Sequence, residues 1–202
     1  MAGFALEQTI VKIRERVIAS AKVLSQEVEP FAASGFDQSS DQRRRFELKA
    51  FLNEVQTTLT PTLRRTPHRL VVECEQEIEL DSFPGALFQI LTNLVNNALV
   101  HAFDHERAGT MLIHAQAEGE MLLLSFSDDG RGMDDEVALR AFDPFFTTRR
   151  SGGGSGLGLH IVHSLVTQLL AGDIELHTAP GQGTRFAMRF ARETPEARAG
   201  AR

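Results

Sequence analysis

Four polar side chains recur every four residues in one stretch of the sequence, and their types and spacing could serve chemistry. They are Gln89, Asn93, Asn97 and His101. Residues four apart lie on the same side of an α-helix, so these four would form a slowly drifting polar stripe. Amide oxygens on such a stripe can bind a hard cation such as Mg²⁺, which prefers oxygen ligands and keeps several waters. The alternative is an ordinary solvent-exposed helix face.

A second candidate is the turn at 128–132, DDGRG, which follows an apparent strand. Gly130 and Gly132 allow the backbone to approach a ligand closely or to take a positive φ. The carboxylate of Asp128, at the strand end, could accept a hydrogen bond from an exocyclic amine such as that of adenine. Taken alone, the stretch fits a plain Asp/Gly turn better.

The glycine-rich stretch at 152–159, GGGSGLGL, is the strongest single signal. A glycine run that leads into a helix offers unpaired N–H groups and a helix dipole, which favour phosphate. Glu175 lies at about the distance required for a dinucleotide-binding loop, but such a loop needs a strand immediately before it. The preceding residues, FDPFFTTRR, do not have a strand pattern, so a dinucleotide-binding loop is not favoured. Their aromatic side chains could anchor a loop while Arg149 and Arg150 reach anionic oxygens.

The elements that must position these residues follow from periodicity and from glycine and proline positions. The polar stripe lies on a predicted helix at 83–103, which has Pro84 at its first position and a continuous apolar face. Strands are predicted at 46–48, 70–74, 78–80, 110–117, 120–128, 173–178 and 184–190, and further helices at 49–60 and 157–170. Strands and helices do not alternate strictly, which indicates an α+β sandwich with one mixed sheet and helices on one face.

A long helix is predicted before this region, at 4–34, because apolar residues step by threes and fours along it. It could pack on the following domain or pair with a second copy of the chain, and its length of some four heptads favours pairing. A polar linker follows it. The end of the chain, 193–202, is predicted to be a disordered tail.

Composition excludes several classes of function. The 202 residues are 42% hydrophobic and 24% charged, which is typical of a soluble globular protein. The net charge of −6 argues against nucleic acid as a partner. A single cysteine, Cys74, excludes an internal disulfide and a multi-cysteine zinc site. The sequence has neither an apolar run of transmembrane length nor a signal peptide, so we expect a cytoplasmic segment without membrane contact.

The order of four motifs is more specific than any one of them. QILTNLVNNALVHAF, DDGRG, FDPFF and GSGLGL resemble the N, G1, F and G2 boxes of the catalytic and ATP-binding domain of sensor histidine kinases, in the GHKL ATPase superfamily. The ending GDIELHTAPGQGTRFAMRF is similar to the closing strands of that domain. The resemblance covers about 43–191 and implies a Bergerat-type two-layer sandwich that binds ATP and Mg²⁺ under a mobile lid. It divides the chain into an N-terminal helix and linker at 1–38 and a catalytic domain at 39–192.

The resemblance also implies roles for individual residues. Asn97, assisted by Asn93, would coordinate Mg²⁺, and Asp128 would bind the adenine amine. The lid would span about 147–155. The implied catalytic residues are Asn93, His101 and Arg149. The other implied cofactor-binding residues are Gly130, Gly132, Phe145, Gly154, Gly156, Leu157 and Gly158.

Asn93 bears on the type of reaction. Hydrolytic members of the superfamily, such as gyrase, carry glutamate there, whereas an amide cannot serve as a general base for water. The resemblance therefore implies phosphoryl transfer to a histidine on a dimerisation domain. It also implies a homodimer that acts on a response regulator. The location would be the cytoplasm, either in a soluble kinase or in the cytoplasmic part of a membrane-bound one.

By the same resemblance, the phosphoacceptor histidine would lie before this domain, but no histidine precedes His68. The acceptor histidine is therefore expected to lie outside this chain. Two alternatives stay open. One is a nucleotide-binding regulatory module without kinase activity, and the other is a protein-serine kinase of the anti-sigma type.

Overall fold

The computed structural model describes residues 42–74, 77–103, 108–148 and 155–195. The boundary between the two units of the chain falls after Gln38. The predicted N-terminal helix at 4–34, and Arg149 and Gly154 of the predicted site, lie outside the described residues.

Seven strands and four helices make up the described part of the chain. The strands are β1 (Arg44–Glu47), β2 (Arg69–Cys74), β3 (Glu79–Ser82), β4 (Thr110–Glu118), β5 (Met121–Asp128), β6 (Asp173–Thr178) and β7 (Thr184–Ala191). The helices are α1 (Leu48–Leu63), α2 (Pro84–Asn97), α3 (Asp135–Arg140) and α4 (Gly158–Ser164).

The main sheet is mixed and has five strands in the order β2-β4-β5-β7-β6. β2 and β4 are parallel, and the other neighbouring pairs are antiparallel. Burial alternates along β5, where Leu122, Leu124 and Phe126 are at most 1% exposed, so one face of the sheet forms the core. The apolar face of α2, including Leu87 and Ile90, is fully buried. The predicted α+β fold with a mixed sheet and helices is confirmed.

Two helices that border the candidate site end in π-helical turns. α2 continues as Ala98–Ala102, and α4 continues as Leu165–Leu169. A π-helical turn changes the angular spacing of side chains and is frequent at functional sites. The turn after α2 carries His101, the last member of the polar stripe.

Four details of the sequence prediction are wrong. β1 and β3 form a separate two-stranded antiparallel sheet rather than part of one sheet. α1 continues past residue 60 to Leu63 and contains Pro61. The prediction lacks α3 entirely. The predicted tail is wrong at its first residues, since Thr194 is fully buried and its N–H donates to the Asp81 carbonyl at 2.9 Å.

No helix in the described ranges is both long and apolar enough to cross a membrane.

Candidate functional site

A cavity of about 380 Å³ lies where the end of α2, the DDGRG turn, α3 and the start of β7 meet. It brings together four of the predicted site residues, Asn97, His101, Asp128 and Gly132. Side chains outside that set complete the wall: Ala102, Arg131, Met133, Asp134, Val137, Ala141, Phe146, Thr147, Thr148, Leu159, Pro180 and Thr184.

Asp128 is the last residue of β5 and is only 9% exposed. Burial raises the pKa of its carboxyl from 3.8 to about 6. Backbone hydrogen bonds from Gly130 and Thr184 lower this pKa, and the nearby Asp129 charge raises it slightly. The Gly130 N–H donates to Asp128 Oδ1 at 3.0 Å. Asp128 is therefore ionised above about pH 6 and is a strong acceptor at the cavity wall.

The glycines of the DDGRG turn are required by close contacts. A Cβ on Gly130 would lie 2.5 Å from the carbonyl oxygen of Ala102, which also accepts the Arg131 N–H at 2.9 Å. Gly132 has a φ of +66°, and a Cβ there would overlap the Ala179 carbonyl oxygen. The turn is thus packed against both the end of α2 and the connection between β6 and β7, which leaves no room for larger residues.

Asn97 and His101 also line the cavity, from the end of α2 and from its π-helical turn. The Thr148 hydroxyl lies 3.2 Å from His101 Nδ1, so the ring is joined to the start of the predicted lid. Amide and imidazole groups at this end offer hydrogen bonds to an anion and oxygen ligands to a cation.

Asn93 lies apart from the residues that line the described cavity. Its side-chain amide donates to the Gln89 carbonyl at 2.8 Å. A Cβ on Gly158 would lie 3.2 Å from Asn93 Oδ1, so the start of α4 packs against this side chain. The structure therefore places Asn93 between α2 and α4, one turn of helix before Asn97.

The FDPFF and GSGLGL stretches are hydrogen-bonded to each other. The Phe145 N–H donates to the Gly156 carbonyl at 2.8 Å, and both residues have positive φ, +65° and +69°. A Cβ on Gly156 would lie 2.6 Å from the Phe145 carbonyl carbon. Phe145 itself is 40% exposed, while Phe146 lines the cavity and has the Arg140 guanidinium 4.4 Å from its ring centroid. Of the predicted set, Phe145, Gly156, Leu157 and Gly158 are not among the residues that line the described cavity.

The sequence prediction contains no apolar wall at α3. Met133, Val137 and Ala141 are spaced by four residues and line the cavity. Asp134 caps α3, since its Oδ1 accepts the Val137 N–H at 2.8 Å, and acidic residues fill the first turn. That capping pattern is a recognisable helix start and could have revealed α3.

The residues present suit Mg²⁺ held with a polyphosphate better than a metal held by the protein alone. Among the described residues no group of three His, Cys, Asp or Glu side chains could hold a metal ion. Asn97 provides one amide oxygen at the cavity wall. Mg²⁺ commonly takes one or two protein ligands and completes its shell with phosphate oxygens and water.

Residues 84–194, more than half of the chain, match the family described as "Histidine kinase-, DNA gyrase B-, and HSP90-like ATPase". The chain belongs to this family. The family assignment from the four motifs is thereby confirmed.

Curated relatives agree with the family. The chain is 28% identical over 175 residues to Sensor histidine kinase RcsC of Escherichia coli K12. The matched region covers 84% of this chain and 18% of that protein. It is 31% identical over 159 residues to Autoinducer 2 sensor kinase/phosphatase LuxQ of Vibrio parahaemolyticus, which covers 73% of this chain and 18% of that protein. The chain thus spans about a fifth of the length of these relatives.

Solved structures confirm the fold. The catalytic domain of histidine kinase ThkA superposes with a TM-score of 0.66 at 23% identity and covers 76% of this chain and 97% of that one. Full-length ShkA, solved in complex with AMPPNP, superposes with a TM-score of 0.63 at 26% identity and covers 95% of this chain and 40% of that one. The Bergerat-type sandwich implied by the motifs is therefore the fold of this domain.

Proposed function

We propose that the chain is the ATP-binding catalytic domain of a sensor histidine kinase. It would transfer the γ-phosphoryl group of ATP to a histidine on a dimerisation domain outside this chain. The observation that carries the proposal is the cavity itself, which joins the buried carboxylate of Asp128 to the polar groups of Asn97 and His101.

Asp128 would select the base. An ionised acceptor that is 9% exposed favours a donor such as the exocyclic amine of adenine. The apolar surface of Met133, Val137 and Ala141 suits a flat purine ring. Gly130 and Gly132 would shape this end of the cavity by keeping the backbone close.

Asn97 and His101 would serve the phosphates. When Mg²⁺ is bound, it neutralises phosphate charge, and Asn97 would give it an amide oxygen. His101 would approach the phosphates from the same helix end, with Thr148 holding its Nδ1 side. The remaining predicted residues would contact the phosphates or belong to the lid over about 147–155. They are Arg149, Gly154, Gly156, Leu157 and Gly158.

Transfer, rather than hydrolysis, is the reaction that this chain supports. In the step, a histidine nitrogen forms a bond to the γ-phosphorus while the bond between that phosphorus and the β–γ bridging oxygen breaks, which leaves ADP. Asn93 carries an amide and cannot take a proton from water as a carboxylate does. Catalysis of such a transfer is mainly positioning and charge stabilisation, which the cavity residues can supply.

The relatives support the proposed partners. RcsC and LuxQ are named as sensor kinases, and ThkA has been solved in complex with the response regulator TrrA. By analogy with these proteins, we propose that the downstream partner is a response regulator. We also propose that the chain forms a homodimer through the helix predicted at 4–34 and lies in the cytoplasm.

Calorimetric titration with Mg-ATP and Mg-GTP tests the nucleotide assignment. ATP should bind more tightly by at least about tenfold, because guanine presents a carbonyl where adenine presents an amine, and an unpaired buried group costs about 1–3 kcal/mol. Equal affinity for the two nucleotides would contradict the role of Asp128. Absence of binding to both would refute the proposed function.

A further inference from the structure

Thr178, the last residue of β6, is hydrogen-bonded to Met133, which follows the DDGRG turn, and to Gly183 in the β6–β7 connection. Its hydroxyl accepts the Met133 N–H at 2.9 Å and donates to the Gly183 carbonyl at 2.9 Å. The Thr184 hydroxyl lies 3.4 Å from the same oxygen. Thr178 is not among the residues that line the described cavity, whereas Met133 and Thr184 are.

The single proton of Thr178 fixes the direction of these hydrogen bonds. A threonine hydroxyl has one donor and two acceptor positions. Because the Thr178 proton goes to Gly183, Thr178 can act only as the acceptor in its contact with Thr184. A hydrogen bond between the two hydroxyls therefore needs the Thr184 proton turned towards Thr178. The Thr184 oxygen then presents lone pairs, and not a proton, towards its other neighbours.

The acceptor that takes the Thr178 proton is held rigidly. Gly183 has a φ of +72°, and a Cβ on it would overlap the Asp128 carbonyl oxygen, so this turn is packed directly on the end of β5. The Gly181 N–H also donates to the Arg131 carbonyl at 2.7 Å. The Gly183 carbonyl therefore has little freedom to release Thr178.

Thr184 is directly opposite Asp128 in the register of β5 and β7 and is 5% exposed. With its proton turned to Thr178, the Thr184 oxygen is an acceptor beside the Asp128 carboxylate. Two neighbouring acceptors match a group with two N–H donors and repel a carbonyl oxygen.

We propose that Thr178 is a positioning residue that sets the hydrogen-bond polarity of the base pocket, so that the pocket takes 6-aminopurines and rejects 6-oxopurines. The inference rests on the proposed nucleotide site. It differs from the role of Asp128 because Thr178 acts through Thr184 and does not touch the base.

The test compares ATP with inosine triphosphate, which has a 6-oxo group in place of the amine. Magnesium tripolyphosphate reports on the phosphate end alone. Calorimetry is run on the full chain and on its Thr178→Val, Thr178→Ser and Thr57→Val variants. Thr57→Val is the matched control, since Thr57 is exposed on α1 and its hydroxyl donates within that helix, to the Asn53 carbonyl.

In Thr178→Val the preference for ATP over inosine triphosphate should fall by about fivefold or more, because an acceptor that fixes Thr184 is lost. Tripolyphosphate affinity should not change. Thr178→Ser and Thr57→Val should keep the preference of the parent chain. A folded Thr178→Val variant with an unchanged preference would overturn the proposal while leaving the ATP site intact.

Purine riboside triphosphate, which has no substituent at position 6, covers the case in which Thr178→Val does not fold. In the parent chain it should bind less tightly than ATP and more tightly than inosine triphosphate. If inosine triphosphate binds as well as purine riboside triphosphate, the pocket does not reject a 6-oxo group and the proposal fails. If ATP itself does not bind, the proposed function fails and this inference fails with it.

Discussion

Replacing Asp128 with asparagine should weaken ATP binding and at the same time stabilise the nucleotide-free fold. Burial raises the Asp128 pKa from 3.8 to about 6, a difference of about two units. Each unit is about 1.4 kcal/mol, so keeping this carboxylate ionised costs the folded protein about 3 kcal/mol at pH 8. The substitution preserves the turn, since the carbonyl oxygen of an asparagine side chain can accept the Gly130 N–H that Asp128 Oδ1 accepts at 3.0 Å.

The sign of the effect depends on pH. Because the folded pKa is the higher one, Asp128 favours the folded state most below about pH 4 and becomes unfavourable as pH rises through about 6. With pKa values of 3.8 and about 6, its cost at pH 5 is about half of its cost at pH 8. Asp128→Asn removes this dependence.

Urea unfolding without nucleotide, at pH 8 and pH 5, measures the change in the free energy of unfolding. We expect Asp128→Asn to gain up to about 3 kcal/mol at pH 8 and about half of that at pH 5. Calorimetry should show ATP affinity lowered at least about tenfold. Asp129→Asn is the matched control, since it makes the same charge change at the exposed neighbour. It should leave ATP affinity unchanged and alter the free energy of unfolding only slightly, because the Asp129 charge is the smallest cause of the raised Asp128 pKa. An Asp128→Asn protein that is less stable than the parent chain at pH 8, or that binds ATP equally well, would refute the reasoning.

Three further predictions concern the same site. Gly132→Ala should lower the free energy of unfolding, measured with urea, by at least about 2 kcal/mol, because the positive φ and the overlap with Ala179 both oppose a Cβ. The control Gly119→Ala, at a φ of +58° with no neighbour within 4 Å, should lower it by about 1 kcal/mol. Asn97→Ala should abolish most of the magnesium dependence of ATP affinity in calorimetry, while the exposed neighbour Asn96→Ala should keep it. ATP affinity, taken relative to magnesium tripolyphosphate, should fall as pH drops below about 6 because Asp128 becomes protonated, and a flat profile would contradict a raised pKa for this carboxyl.

Much of the fold could be predicted from the sequence because the signals are local. α2 begins at Pro84, as its sequence predicts, and most of its apolar positions are buried. The hairpin between β4 and β5 turns at Gly119, which has a φ of +58°. Periodicity and turn residues carry such features within a few residues of chain, so no knowledge of distant partners is needed.

Features that depend on distant partners could not be predicted in this way. The separation of β1 and β3 from the main sheet, and the parallel pairing of β2 with β4, depend on contacts between segments far apart in sequence. The π-helical turn that carries His101 depends on which carbonyl each N–H selects, and residue types barely report that choice.

The candidate site shows the same division. Motif order indicated Asp128, Asn97 and Gly132, which do line the cavity. Thr178 gave no signal, because its role comes from three hydrogen bonds that exist only when β6, the β6–β7 turn and the DDGRG turn are assembled. Asn93 has the spacing of a cavity residue, yet α4 packs against it.

Phosphoryl transfer from labelled ATP is the direct test of the proposed kinase activity. The chain is incubated with γ-labelled Mg-ATP, alone and with a separate dimerisation hairpin that carries an acceptor histidine. We predict label on the hairpin only, in acid-labile form, because the nucleophile must be supplied from outside this chain and held in line with the γ-phosphate. Acid-stable label would indicate a serine kinase. Bound ATP without any transfer, or acid-labile label on this chain alone, would contradict the account.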